Sequence, residues 1–127
     1  MNRDELKTIL PHREPMLLVD EAAVGEDGIA RGSYTVRGDE YFLDGHFPGN
    51  VPGVIQCEMA AQTCCVLFAD KVKGSTPLFA GINKVRFRRQ VKPGERIDFE
   101  CTPVREVGPF CFAKVRGSVN GSVCVDG

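Results

Sequence analysis

Two side chains in this sequence have the chemistry and the setting for proton transfer. His46 lies in Gly45-His46-Phe47-Pro48-Gly49, where two glycines and a proline fix an unusual backbone path around one imidazole. Imidazole titrates near neutral pH, and a general base must be held in place before its pKa matters. Taken alone, such a loop equally suits a histidine that only satisfies local hydrogen bonds. Glu58 stands in an otherwise apolar run from Val54 to Phe68. A carboxylate buried without a partner is strongly disfavoured, so this one must be paired, protonated or in use. Pairing with Gln62, its i+4 neighbour, is the plain structural alternative. Apolar isolation would instead raise the carboxyl pKa and suit a proton donor at neutral pH. A histidine base on a loop and an acid on the helix that the loop feeds form an acid/base pair.

The start of that helix supplies a third element. Pro52-Gly53 precede it, and proline is well tolerated at a helix start because its missing N–H is unneeded there. The amides of Gly53 and Val54 then lack intrahelical acceptors, and the helix dipole at this end favours negative charge. Aimed at a thioester carbonyl, these donors would stabilise the enolate-like charge left when an α-proton departs. The competing reading of Gly53 is an ordinary helix-start glycine. The other histidine, His12 in Pro11-His12-Arg13, follows a helix stop and reads as a turn residue rather than a base. This chemistry requires no metal and no cofactor.

The elements that must position these groups are legible in outline. Asp4 to Leu10 suits a short helix stopped by Pro11. Met16 to Val24 and Ile29 to Val36 suit strands, with Gly25-Glu26-Asp27-Gly28 as the turn between them. From Arg37 to Gly53 periodicity vanishes, and a loop of that length is uncommon in a compact domain unless it has a job. Val54 to Asp70 predicts a long helix, apolar on almost every side and therefore surrounded by other structure. Phe79 to Val91 alternates, then turns at Pro93-Gly94. Ile97, Phe99 and Cys101 alternate with Asp98 and Glu100. Phe110 to Val119 follows a break at Val107-Gly108-Pro109, and Asn120-Gly121 is a strong hairpin signal before Ser122 to Val125. One enclosed helix with a long antiparallel sheet gives an α+β fold, the sheet curled around the helix, in a single domain spanning 1–127.

Composition sets limits on partners. With 127 residues and a net charge of -1, nothing global points to nucleic acid or a membrane surface. Residues 1–58 carry 5 basic and 11 acidic side chains, and residues 59–127 carry 11 basic and 6 acidic. Much of the basic excess lies in the strip Lys84, Arg86, Arg88, Arg89 and Lys92, which suits an acidic partner as well as it suits a solvated strand face. No run has signal-peptide or membrane-span length. The six cysteines show no zinc-like spacing and are expected to be reduced packing residues of a cytoplasmic protein.

Pro11-His12-Arg13-Glu14-Pro15-Met16-Leu17-Leu18-Val19-Asp20, Gly45-His46-Phe47-Pro48-Gly49-Asn50, Pro52-Gly53-Val54 leading to Glu58 and Ala61-Gln62, and Phe79-Ala80-Gly81-Ile82-Asn83-Lys84-Val85-Arg86-Phe87 occur in that order. Together they resemble the (3R)-hydroxyacyl-[acyl-carrier-protein] dehydratases of type II fatty acid synthesis, the FabZ family. The resemblance implies a hot-dog fold and a homodimer with its two helices side by side, often three dimers in a hexamer. It also implies an active site in which His46 of one subunit works with Glu58 of the other. His46 would remove the α-proton, and Glu58 would protonate or orient the departing 3-hydroxyl. Phe79 and Ile82 would line an apolar acyl tunnel, and the basic strip would meet the acidic carrier protein. Glu58 in place of the aspartate usual in the isomerising relatives implies plain dehydration. The sequence departs from the family pattern in a shorter segment between Gly49 and Pro52 and in an end at Val125-Asp126-Gly127. Both departures read as residues absent from the sequence as given.

Two other functions fit the same fold. A hot-dog acyl thioesterase would use a helix carboxylate to activate water, and a non-catalytic acyl-binding protein would need neither His46 nor Glu58. The presence of both residues favours elimination.

Overall fold

The computed structural model describes residues 1–43, 49–69 and 81–127. Its elements are α1 (Arg3–Leu6), β1 (Glu21–Val24), β2 (Ala30–Thr35), a 3-10 turn at Tyr41–Leu43, α2 (Gly53–Cys65), β3 (Arg86–Phe87), β4 (Arg96–Val107), β5 (Phe110–Val119) and β6 (Ser122–Asp126). Among the described residues the six strands form one sheet in the order β1-β2-β4-β5-β6-β3, every pairing antiparallel.

The strands that alternate most cleanly in sequence fold as expected. Ile97, Phe99 and Cys101 point into the core from β4 while their neighbours face out, the two-residue period of a pleated strand. Asn120 and Gly121 turn the β5–β6 hairpin with φ of 50° and 80°, the left-handed pair that a two-residue hairpin loop demands. Beyond Cys101 the β4–β5 ladder runs on through an irregularity at Pro103/Arg105, with both faces exposed along this stretch of β4.

Three expectations are modified. The first helix ends at Leu6 rather than Leu10. Asn2 and Glu5 cap its start reciprocally, and two overlapping turns carry the chain on to the buried Leu10. The first strand begins at Glu21, not Met16. Leu17, Leu18 and Val19 are all buried in succession, which a strand with one wet face does not do; this segment is packed between helix and sheet instead. Of the strand expected over Phe79–Val91, the ladder holds Arg86 and Phe87; residues 79 and 80 lie outside the described part.

Helix α2 rests on β2, β4 and β5, with Met59, Ala60 and Thr63 buried against them. Gly32 of β2 permits the close approach, because a Cβ there would lie 2.9 Å from Thr63 Cγ2 and 3.0 Å from the Glu21 carbonyl oxygen. The main core joins Tyr34, Val36, Phe42, Met59, Ala60, Ile97, Phe99 and Val119, and a second cluster joins Leu6, Leu10, Leu17, Val19, Ala22 and Val66. Each large apolar side chain so buried contributes about 1.5–3 kcal/mol. The helix is not enclosed on all sides by its own chain. The sheet covers one side, while Val54 is 76% exposed and Cys57, Glu58, Ala61 and Cys64 are partly so. No helix among the described residues is long and apolar enough to cross a membrane.

Candidate active site

Glu58 lies in the second turn of α2 with its side chain 23% exposed. Its environment is set by Gln62, one turn along, which is almost wholly buried. The backbone fixes the orientation of the Gln62 amide. The Leu18 N–H donates to Gln62 Oε1 at 2.8 Å, so the amide nitrogen must face the other way. There it donates to the Met16 carbonyl at 2.8 Å and to Glu58 Oε2 at 2.7 Å. Gln62 therefore ties the Met16–Leu18 segment to the helix and holds one carboxyl oxygen. The pairing with Gln62 expected as the plain structural alternative is present, and the second oxygen of Glu58 accepts no hydrogen bond among the described residues.

His12 joins this cluster. Its Nε2 stands 3.5 Å from Glu58 Oε2, with the imidazole 21% exposed. That separation is electrostatic contact rather than a good hydrogen bond. His12 is expected from the sequence only as a turn residue; its carbonyl accepts from the Arg13 side chain, and its ring reaches the acid. Tyr41, just before the Gly45–Gly49 loop, closes another side and donates its hydroxyl to Met16 Sδ at 2.8 Å. Burial, and then the Glu58 charge, push the Tyr41 hydroxyl above its ordinary range.

Glu40, which precedes the Gly45–Gly49 segment in sequence, is buried. Its carboxylate accepts from the Arg37 amide (2.9 Å), the Gly38 amide (2.8 Å) and the Tyr34 hydroxyl (2.8 Å). Burial raises its pKa, but these donors outweigh burial and hold it below the usual 4.5. After that segment, Val51 donates to the Val91 carbonyl at 2.9 Å. His46 itself lies outside the described residues.

Gly53 opens α2 after Pro52, and neither its amide nor that of Val54 has an acceptor among the described residues. The Phe87 ring occupies the space beside Gly53: a Cβ there would lie 2.8 Å from Phe87 Cζ. Ile82 and Phe87 are both half exposed, close in sequence, and Val54 is exposed beside the helix start. Phe79 lies outside the described residues. In the basic strip, Arg88 pairs with Asp126 and Arg89 with Glu95, while Lys84, Arg86 and Lys92 are exposed. Cys101 and Cys124 are buried and Cys57, Cys64 and Cys65 half-buried, but Cys111 is exposed rather than packed. Burial, with Cys64 next, pushes the Cys65 thiol up to about 12, which leaves it an inert packing group.

The sequence signal for Gln62 was its i+4 spacing from Glu58. His12 carried no such signal, because its meeting with Glu58 depends on how the Met16–Val19 segment packs.

Comparison with known proteins decides the family. The ApeI-like family model, described as ApeI dehydratase, matches residues 22–127. The FabZ 3-hydroxyacyl-[acyl-carrier-protein] dehydratase of Clostridium beijerinckii is 44% identical over 132 residues, covering 98% of this chain and 93% of that one. The chain belongs to the FabZ dehydratase family. A second FabZ, from Caldicellulosiruptor bescii, is 42% identical over 131 residues, covering 99% of this chain and 94% of its own length. Among solved structures, the dehydratase heterocomplex ApeI:P from Xenorhabdus doucetiae superposes with a TM-score of 0.78 at 23% identity, over 95% of this chain and 85% of that one. The PaaI protein of Escherichia coli superposes with a TM-score of 0.63 at 12% identity, over 84% and 76%. These likenesses identify the curled sheet and its helix as a hot-dog fold, as this FabZ-family sequence implied.

Proposed function

We propose that Glu58 and His46 are the acid and base with which this FabZ-family chain dehydrates its substrate. The enzyme is a 3-hydroxyacyl-[acyl-carrier-protein] dehydratase of fatty acid biosynthesis, converting (3R)-hydroxyacyl thioesters to trans-2-enoyl thioesters. The observation that carries the residue assignment is the setting of Glu58: Gln62 holds one oxygen with His12 3.5 Å away, and among the described residues the other oxygen and the opening amides of the helix have no partner.

In this reading the thioester carbonyl lies against the Gly53 and Val54 amides. His46 takes the α-proton, and the electron pair shifts onto the carbonyl oxygen, where each donor is worth roughly 3 kcal/mol of barrier. As the pair returns to form the double bond, Glu58 gives its proton to the 3-hydroxyl and water leaves. Transfer of a proton from His46 back to Glu58 resets the site. Gln62 Nε2 is a donor, so Oε2 must accept, and the acidic proton of Glu58 belongs on Oε1.

We further assign the site to a homodimer, with His46 from one subunit and Glu58 from its partner, either alone or as three dimers in a hexamer. The uncovered side of α2 and the exposed Val54 support a second copy there. The acyl chain would pass Phe79 and Ile82, and the exposed Lys84, Arg86 and Lys92 would meet the acidic carrier protein in the cytoplasm. The test is to supply a 3-hydroxyacyl thioester and follow enoyl absorbance against free thiol. Enoyl formation without thiol release is expected; thiol release without enoyl product would make the chain a thioesterase.

A further inference from the structure

We infer that His12 is a positioning residue for the reaction: its imidazole, acting together with Gln62, fixes which oxygen of Glu58 faces the substrate. This rests on Glu58 being the proton donor. A carboxyl group on a flexible glutamate side chain turns readily about its last bond, since the terminal torsion has broad, two-fold preferences. Turning would exchange Oε1 and Oε2 and move the acidic proton away from the departing hydroxyl. Gln62 resists this with one short hydrogen bond to Oε2. His12 Nε2 approaches the same oxygen, at 3.5 Å, from a different element.

The second ring nitrogen supports a directed role. His12 Nδ1 is buried and has no hydrogen-bond partner among the described residues. A buried polar atom left unpaired is costly, so a histidine serving only to fill a turn gains nothing from this placement. The other ring nitrogen, Nε2, is the one that faces the carboxyl. The backbone that carries the ring is held from behind, because Arg13 Nη1 donates to both the His12 and the Leu10 carbonyls at 2.7 and 2.8 Å. A hydrogen bond from Gln62 and the nearby His12 ring on Oε2, against no hydrogen bond on Oε1 among the described residues, make the two oxygens chemically unequal.

The experiment compares His12→Phe, which keeps ring volume without a donor, and His12→Gln, whose side-chain amide can replace Nε2, in the full-length enzyme. Thermal unfolding is measured alongside steady-state dehydration. For folded His12→Phe, kcat should fall about ten- to a hundredfold, the cost of misplacing a reacting group, while KM moves less than about threefold because substrate binding is untouched. His12→Gln should recover most of the loss. In a Glu58→Gln background, His12→Phe should leave the residual rate unchanged, since nothing remains to be oriented. If His12→Phe does not fold, His12→Ala takes its place. A folded donor-less variant with wild-type kcat would overturn the proposal, as would an equal fall in the Glu58→Gln background. Near-normal turnover in Glu58→Gln alone would instead remove the assignment of the acid itself.

Discussion

Glu58 carries its two oxygens into different surroundings, and that asymmetry is the core of the residue-scale account. Replacing it with Gln keeps the shape and the bond to Gln62 through the remaining carbonyl, but removes the proton. The expected loss in kcat is about 10²–10⁴-fold, with the unfolding midpoint little changed; steady-state assay beside thermal melting checks both. Gln62→Leu should act differently. It strands the buried Leu18 N–H and Met16 carbonyl, so stability should fall by about 1–3 kcal/mol and kcat should fall with it, as denaturant titration and turnover would show. The pair Glu58–Gln62 was legible because helical spacing makes i+4 neighbours touch. The approach of His12 was not, because the segment between them packs as a buried extended stretch rather than as the strand that its apolar residues suggested.

At the scale of elements, the backbone at Arg37 and Gly38 is held by a buried carboxylate and the start of α2 is packed by an aromatic ring. Neither Glu40 nor Phe87 carried a sequence signal, since hydrogen bonding to Arg37 and Gly38 amides and contact with Gly53 arise only on folding. The native pKa of Glu40 lies below 4.5. Its stabilisation is therefore complete above that value and is lost as pH falls through the depressed native one. Chemical denaturation at falling pH should show the wild type losing more stability below pH 4.5 than Glu40→Gln, whereas at neutral pH the variant should be the weaker of the two. Gly53→Ala should cost about 1–3 kcal/mol through overpacking against Phe87. Adding Phe87→Ala should return part of that cost, a coupling that denaturant titration of the double-mutant cycle measures. The alternating strands β4 to β6 and their Asn120-Gly121 turn could be foreseen because local chemistry alone dictates them.

At the scale of the whole molecule, the sequence implied a helix apolar on nearly every side, yet among the described residues the sheet and the Met16–Val19 segment leave Val54 exposed and Cys57, Glu58, Ala61 and Cys64 partly so. The exposed Val54, Ile82 and Phe87 lie near the start of that helix and on the strand region beside it. A second subunit laid against the uncovered side would explain the composition of α2 and would allow the proposed acid/base pair to be shared between chains. That claim is tested most directly by co-expressing His46→Ala and Glu58→Gln chains, each inactive alone, and assaying dehydration by the mixed protein. Random pairing makes half the dimers mixed, each with one intact site of two, so activity should return to about one quarter of wild type. Mixed dimers that form but remain inactive would place both groups in the same chain and contradict the shared site.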